Sequence, residues 1–223
     1  MARSPLFRSS VSVLASMLAF PLVLGVGVLR SEERAYGQGD LCFHALHRTP
    51  DQLAGIHFSP EEDLRAIDVD MIDRATQSLD IAMYAFTDRV IRKALVRAAS
   101  RGVKIFLYRD KTQIKDRNDQ TQRLIDDSPP GSVAVKIKDN SSWNIMHLKA
   151  YLVDGRWIRE GSANWSPSGE GAYCTGDRRE HREQQDNDLV LSDDPGAAKA
   201  FFRDFVRLWQ RSGNLTISAI REE

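Results

Sequence analysis

LDIAMYAFTDRVIRKALVRAASRGVKIFLY, residues 79–108, changes its hydrophobic period twice within about 30 residues. Leu79 to Phe86 is a short apolar run with an aromatic end, which suits a strand buried on both faces. Thr87-Asp88 then supplies a cap for a helix through Ala99, Gly102 stops it, and Val103 to Tyr108 returns to strand. Strand, helix, strand at this spacing closes as a right-handed crossover, so the two strands run parallel and helices should cover both sheet faces. The expectation is an α/β fold around a mixed, largely parallel β-sheet.

Upstream, Ser59-Pro60-Glu61-Glu62 opens a helix to about Gln77, with Leu64, Ile67, Met71, Ile72 and Ala75 at helical spacing. Downstream come a helix over 119–127, a break at Ser128-Pro129-Pro130-Gly131, and a strand from Val133 to Lys138. Leu148 to Val153 and Arg156 to Glu160 read as two strands around a turn at Asp154-Gly155. Trp165 to Asp188 reads as a helix start followed by a long polar loop, and Asp188 to Leu191 as a strand. Pro195 introduces a last helix carrying Ala198, Phe201, Phe202, Phe205, Leu208 and Trp209 at core spacing. Trp157 reads as core, while Trp143 and Trp165 either line a cleft or pack. No internal repeat is visible.

The 223 residues, 42% hydrophobic and 28% charged, fit one globular domain and exclude a disordered or fibrous chain. Arg3 and Arg8 precede an uncharged run from Ser9 to Leu29, which makes residues 1–37 a signal peptide cut after Gly37 or an N-terminal membrane anchor. Cleavage is favoured, because Pro21, Gly25 and Gly27 weaken a helix and Ala35-x-Gly37 is a small-x-small ending. Either way the chain is expected to be exported, to a periplasm or outside the cell. Residues 38–55 form an extension, 56–212 the domain that carries the chemistry, and 213–223 a tail.

A leader ending at Gly37 takes four basic and two acidic residues from the 31 of each, leaving 27 and 29. Charge is nonetheless segregated: residues 89–138 hold 13 Lys or Arg against 5 Asp or Glu, a field that concentrates anionic substrates unless it is only the solvated face of helices. Cys42 and Cys174 fall on the exported side, where a disulfide between them is permitted. Cys42, His44 and His47 lack the four-ligand spacing of a metal site, so no metal and no cofactor is expected.

From His147 the chain reads HLKAYLVDGRWIREGSAN, which fits H-x-K-x4-D-x6-G-S-x-N. On this motif the sequence resembles the phospholipase D superfamily. Phe58-Ser59-Pro60, Ile81 to Asp88 and Arg101-Gly102-Val103 extend the likeness to the small bacterial nucleases of that family, over roughly Ile56 to Trp209. Asp186-Asn187 is similar to the Glu-Asn that follows the motif there, with Asp for Glu and a longer preceding loop, 169–185. The resemblance implies a phospholipase D-like α/β/α sandwich and a metal-independent phosphodiesterase.

The spacing is consistent with that chemistry. His147 and Lys149, two apart on a strand, share one face, so a nucleophile and a cation share a pocket. Gly161-Ser162-Ala163-Asn164 brings a close backbone, a hydroxyl and an amide near a helix start, where anionic oxygen is favoured. His147 is the expected nucleophile, with Lys149, Ser162 and Asn164 holding phosphate oxygens. Asp186 is expected to fix the imidazole tautomer, whereas the resemblance makes Asp154 and Gly161 structural. The leaving oxygen needs a second acid, yet none of His44, His47, His57 or His181 is followed by Lys at the second position. A homodimer with a composite site supplies a second imidazole.

Three functions follow, two of them enzymes with the same chemistry and the third from a different class. The leading one is a non-specific endonuclease on DNA or RNA, as the resemblance implies. The second is a phospholipase D releasing phospholipid head groups at a membrane surface, in lipid degradation. The third is a catalytically idle polyanion-binding protein, disfavoured by the intact His, Lys, Ser and Asn set.

Overall fold

The computed structural model describes residues 49–139, 144–171 and 185–221. The leader, Cys42 and Cys174 with their expected bridge, His44, His47, Trp143 and His181 lie outside the described residues. Short helix α1 (Pro50–Leu53) leads into strand β1 (Gly55–Ser59), followed by α2 (Leu64–Arg74), β2 (Ser78–Met83), α3 (Arg89–Ser100) and β3 (Lys104–Asp110). Then come α4 (Lys111–Ile114), α5 (Thr121–Asp127), β4 (Val133–Lys138), β5 (Lys149–Val153), β6 (Trp157–Gly161), β7 (Asn187–Ser192), α6 (Pro195–Trp209) and α7 (Ile217–Arg221).

The seven strands form one sheet in the order β1-β7-β6-β5-β2-β3-β4. The crossover is as expected: β2 and β3 pair in parallel across α3, and β4 adds to β3 in parallel. The other four pairings are antiparallel. The sheet is therefore mixed but not largely parallel. Hairpin β5–β6 joins its strands too tightly for a helical crossover, and β7 and β1 then add to its far side as antiparallel neighbours.

Helices lie on both faces, completing the α/β/α layering. Leu79, Ile81 and Met83 of β2 point into one core with Ile67 and Met71 of α2 and Ile91, Leu95 and Ala98 of α3. Ala82, between them, points the other way, to Tyr108 and to Phe205 and Leu208 of α6. A strand apolar on both sides has nothing to alternate, which is why its sequence is a continuous apolar run. Phe202, expected in the α6 core face, is 47% exposed instead. It sits with Leu152, Arg156 and Lys199 in a groove outside the two cores.

Local rules explain the boundaries. Asp88 accepts hydrogen bonds from Val90 N–H and Ile91 N–H and so starts α3; Gly102, at φ 94°, ends it. The β5–β6 turn places Asp154 at φ 51° and Gly155 at φ 68°, positions that Asp and Gly tolerate best. No helix begins after Asn164: Trp165 bridges to Phe86 and residues 167–171 are turns, with Ser166 N–H bonded to Asn164 O and Glu170 N–H to Ser166 O. The segment read as a tail is packed, with Leu215 bridged to Ile137 and Asn214 accepting from the Tyr108 hydroxyl at 2.8 Å. Leu53, ahead of residue 56, is fully buried, so the folded unit exceeds the expected 56–212 at both ends. Among the described residues no helix is long and apolar enough to cross a membrane.

Asp154 fastens the β5–β6 turn. Its carboxylate accepts from Thr76 N–H, Thr76 hydroxyl (2.7 Å), Gln77 N–H (2.8 Å) and Ser78 N–H (3.0 Å), tying the β5–β6 turn to the start of β2. Burial raises its pKa, but the hydrogen bonds from Ser78, Thr76 and Gln77 outweigh that and hold it below the usual carboxylate value. Its contribution is thus present above about pH 4 and is lost as pH falls through the depressed folded value. Asp154→Ala should lower urea stability by about 2 kcal/mol at pH 7, and the gap from wild type should narrow as pH drops below about 4.

Candidate active site

Strand direction gathers the motif at one sheet edge. The carboxyl ends of parallel strands β2, β3 and β4 meet the amino end of antiparallel β5 there, together with the carboxyl end of β6 and the amino end of β7. Met83 pairs with Lys149, and Tyr84 N–H donates to Leu148 O at 2.9 Å, so the motif histidine is fixed against the end of β2. Such an edge is where open α/β sheets present ligand-binding groups.

His147 is exposed just before β5, and Lys149 is 6% exposed. The Lys149 ammonium lies 3.0 Å from His147 Nδ1 and 3.1 Å from Nε2, and donates to His147 O at 2.7 Å. The Tyr84 ring completes the group, 4.6 Å from the imidazole centroid and 5.1 Å from the ammonium. Desolvation, and then the neighbouring Lys149 charge, hold the His147 pKa below 6.5, against a smaller opposing pull from Asp110. Burial, and then the Arg159 charge, lower Lys149 from 10.5 to about 8. At neutral pH the pair is a neutral imidazole beside a cation, the combination needed to attack a phosphodiester and steady its oxygens.

The other motif residues separate into two groups. Asn164 Oδ1 accepts from Ala85 N–H at 3.2 Å, which joins it to the loop after β2. That leaves its amide N–H donors without a protein partner among the described residues. Ser162 instead turns to Asp188: its hydroxyl donates to Oδ1, its N–H donates to the same oxygen at 2.9 Å, and it accepts from Asp188 N–H at 2.9 Å. That hydroxyl bond is the main cause of the lowered Asp188 pKa. In the single chain Ser162 is thus committed to a carboxylate rather than open to phosphate. At Gly161, φ 148°, a side chain would collide with the Asp188 carbonyl.

Asp186 is exposed and lines a recess with Glu61, Ser162 and Asp188. Among the described residues no hydrogen bond joins it to His147. The sheet order explains this: β6 lies between β7 and β5, which puts two strand spacings, about 10 Å, between the starts of those strands. The carboxylate beside the histidine is Asp110, at the end of β3. It is fully buried, accepts from Met146 N–H at 2.6 Å, and also accepts from Thr112 N–H (2.9 Å) and Thr112 hydroxyl (2.7 Å). Sequence reading missed Asp110 and Tyr84, although both stand at carboxyl ends of parallel strands, the one position from which they could have been singled out.

Beneath Lys149 lies a buried polar cluster, also unforeseen. Asp68 accepts from Arg159 Nε and an Arg159 terminal nitrogen, both at 3.1 Å, from Tyr151 hydroxyl at 2.9 Å and from Trp165 Nε1 at 2.8 Å. Arg159 also donates to Lys149 O at 2.8 Å. Trp165, read as cleft or core, is fully buried here. Among the described residues no group of acidic, His or Cys side chains could hold a metal ion.

Comparison with known proteins places this arrangement. Residues 69–209 match the family model described as cardiolipin synthase, PLD-like domain. The chain is 28% identical over 137 residues to mitochondrial cardiolipin hydrolase of Xenopus tropicalis, covering 61% of this chain and 57% of that protein. It is 27% identical over 113 residues to phospholipase D of Rickettsia felis, covering 51% and 54%. The chain therefore spans little more than half the length of these curated relatives. Two solved structures share the fold: the Salmonella typhimurium phospholipase D family member Nuc, at TM-score 0.58 and 24% identity over 72% of this chain and 96% of that one, and NucT from Helicobacter pylori, at 0.60 and 22% over 73% and 97%. With the matched region running from α2 to the end of α6 and enclosing the whole His147 to Asn164 motif, the chain belongs to the phospholipase D superfamily, in its PLD-like domain family.

Proposed function

We propose that this protein is a metal-independent phosphodiester hydrolase that works through a phosphohistidine on His147, and that its substrate is nucleic acid, cut as a non-specific endonuclease. The observation that carries the chemistry is the contact of the Lys149 ammonium with both ring nitrogens of His147. A substrate phosphate takes up the ammonium and frees the imidazole. A ring nitrogen then attacks phosphorus, the N–P bond forms as the bond to the leaving oxygen breaks, and Lys149 with the Asn164 amide holds the non-bridging oxygens. A second imidazole protonates the leaving oxygen, then takes a proton from the water that hydrolyses the phosphohistidine.

That second imidazole is taken to come from another copy. The motif occurs once in the chain, and His57 of β1, the other described histidine, is buried with its ring nitrogens on Glu62 and on Leu53 O. A two-fold dimer with both His147 rings across one cleft is the smallest arrangement that supplies acid and nucleophile. The basic stretch over residues 89–138 and the resemblance to small bacterial nucleases support nucleic acid as substrate. A second reading, a phospholipase D on phospholipid, is favoured by the cardiolipin hydrolase and phospholipase D relatives. In either case the leader expected over residues 1–37 is the support for an exported enzyme. Plasmid DNA and anionic phospholipid vesicles, offered separately in chelator, distinguish the two: nicking without head-group release is expected, and the reverse pattern would overturn the nuclease reading.

His147→Ala should abolish turnover in a chain that keeps its wild-type circular dichroism and melting temperature; measurable phosphodiesterase activity in that folded variant would remove His147 as nucleophile. The pH profile follows from the two shifts. The free-enzyme parameter kcat/KM should fall on the acid side below pH 6.5, as His147 protonates, and on the alkaline side near pH 8, as Lys149 loses its charge. Lys149→Ala should raise the His147 pKa in an NMR titration and Asp110→Asn should lower it, opposite signs that follow from the two charges. In mixed dimers, one His147→Ala chain should reduce activity far below half, because neither nucleophile nor acid can be spared; a half-rate mixed dimer would place the acid within one chain.

A further inference from the structure

The register that fixes His147 continues across the sheet edge to a second cationic place. Tyr108 pairs with Lys136 and Asp110 with Lys138, and side chains two apart share a face. Tyr108 faces Met146, Phe205 and Leu208, and Lys136 donates to Trp209 O at 2.7 Å over the Trp209 ring. Lys138 therefore stands on the α6 face at the end of β4, in the row that contains Asp110. Because Ala82 pairs with Tyr108, the same row continued by two residues reaches Tyr84, the ring against His147. Two strand spacings, about 10 Å, separate the ends of that row.

The end of α6 brings a second cation there. Asn214 accepts from the Tyr108 hydroxyl and donates to Leu208 O (2.9 Å) and Trp209 O (3.1 Å), while Leu215 pairs with Ile137, so the turn after α6 is sewn onto β3 and β4. Arg211 lies in that turn, bonded N–H to Leu208 O, and its charge is felt by both Tyr108 and Lys138. Both cations are half-buried, and among the described residues neither is in an ion pair. The nearby acids are engaged elsewhere: Asp139 pairs with Lys111 at 3.2 Å, and Asp110 accepts from Met146 and Thr112 while exerting a weaker pull on Lys138. The two cations stand on the end of β4 and on the turn sewn to it, and Asp110 offsets them only in part, so a further anion at this place is favoured.

We propose that Lys138 and Arg211 form an anion subsite that binds a phosphate of the nucleic-acid strand flanking the phosphate at His147. This rests on the nuclease reading and adds the direction of the strand over the edge, from β5 across β2 and β3 to β4. A substrate with several phosphates occupies both places, and one with a single phosphodiester occupies only the first.

The test compares full-length wild type with Lys138→Gln and Arg211→Gln on a single-stranded oligonucleotide, on bis(4-nitrophenyl) phosphate and on anionic phospholipid vesicles, after checking melting temperatures. On the oligonucleotide each variant should raise KM about tenfold, and the slope of log(kcat/KM) against log salt should flatten by about 0.7. On bis(4-nitrophenyl) phosphate the change should stay under about twofold, since only one phosphate is present. Wild-type cleavage of the oligonucleotide with variants indistinguishable from it would overturn the subsite alone, as would equal losses on both soluble substrates. Wild type that turns over vesicles and not the oligonucleotide would overturn the nuclease reading and this assignment together. If either variant melts well below wild type, Lys138→Arg with Arg211→Lys, which keeps both charges, should retain the salt slope; a flattened slope there counts against the subsite.

Discussion

The ion pair between Asp68 and Arg159 is the contact on which the site depends. Both side chains are wholly buried, so neither charge is tolerable without the other, and removing one partner of such a pair costs about 3–5 kcal/mol. Asp68 comes from α2 and Arg159 from β6, while the same carboxylate takes the hydroxyl of Tyr151 on β5 and the indole of Trp165 in the following loop. Arg159 then spends a remaining donor on the carbonyl of Lys149. One buried charge pair thus sets the height of β5 against β6 and the depth at which the lysine begins. Its positive end is also the second cause, after burial, of the lowered Lys149 pKa.

Around that pair the sheet separates rigidity from reactivity. The middle of β2, β3 and β5 is apolar on both faces and holds the strands in register, whereas the polar groups of the motif stand at strand ends, where alternation no longer buries them. Asp154 at one edge and Asp110 at the other close the same strands by accepting backbone N–H groups. The carboxylate at the far edge ties a turn to β2. The one at the reactive edge holds the residue before the histidine and adds a field that favours its protonated form.

What sequence could reveal follows from what is local. The β2–α3–β3 unit was legible because a continuous apolar run, an Asp cap and a stop glycine act within a few residues of one another. The motif was legible because His147, Lys149, Gly161 and Asn164 lie within one hairpin and its exit. The expected parallel bias failed although the Asp154-Gly155 turn already marked β5 and β6 as a hairpin, because the direction of β7 and β1 is set by connections that leave no periodic signal. Within one chain Asp186 stands away from the imidazole for a similar reason: its closeness in sequence to the motif says nothing of the strand, β6, that intervenes. Nothing in the sequence singles out Asp68, Arg159 and Glu170, all fully buried, since a buried polar residue looks in one sequence like any exposed one.

The four bonds made by the Asp68 carboxylate have a consequence for folding cooperativity. A helix, two strands and a loop converge on one buried acceptor, so opening the reactive edge alone strips four donors from a buried carboxylate. Elements attached at the margin, such as β1 or α7, can exchange their amide hydrogens by local fraying. Lys149, whose carbonyl is held by Arg159, is tied instead to the packing of the sheet interior, so order at this edge reports on the sheet as a whole.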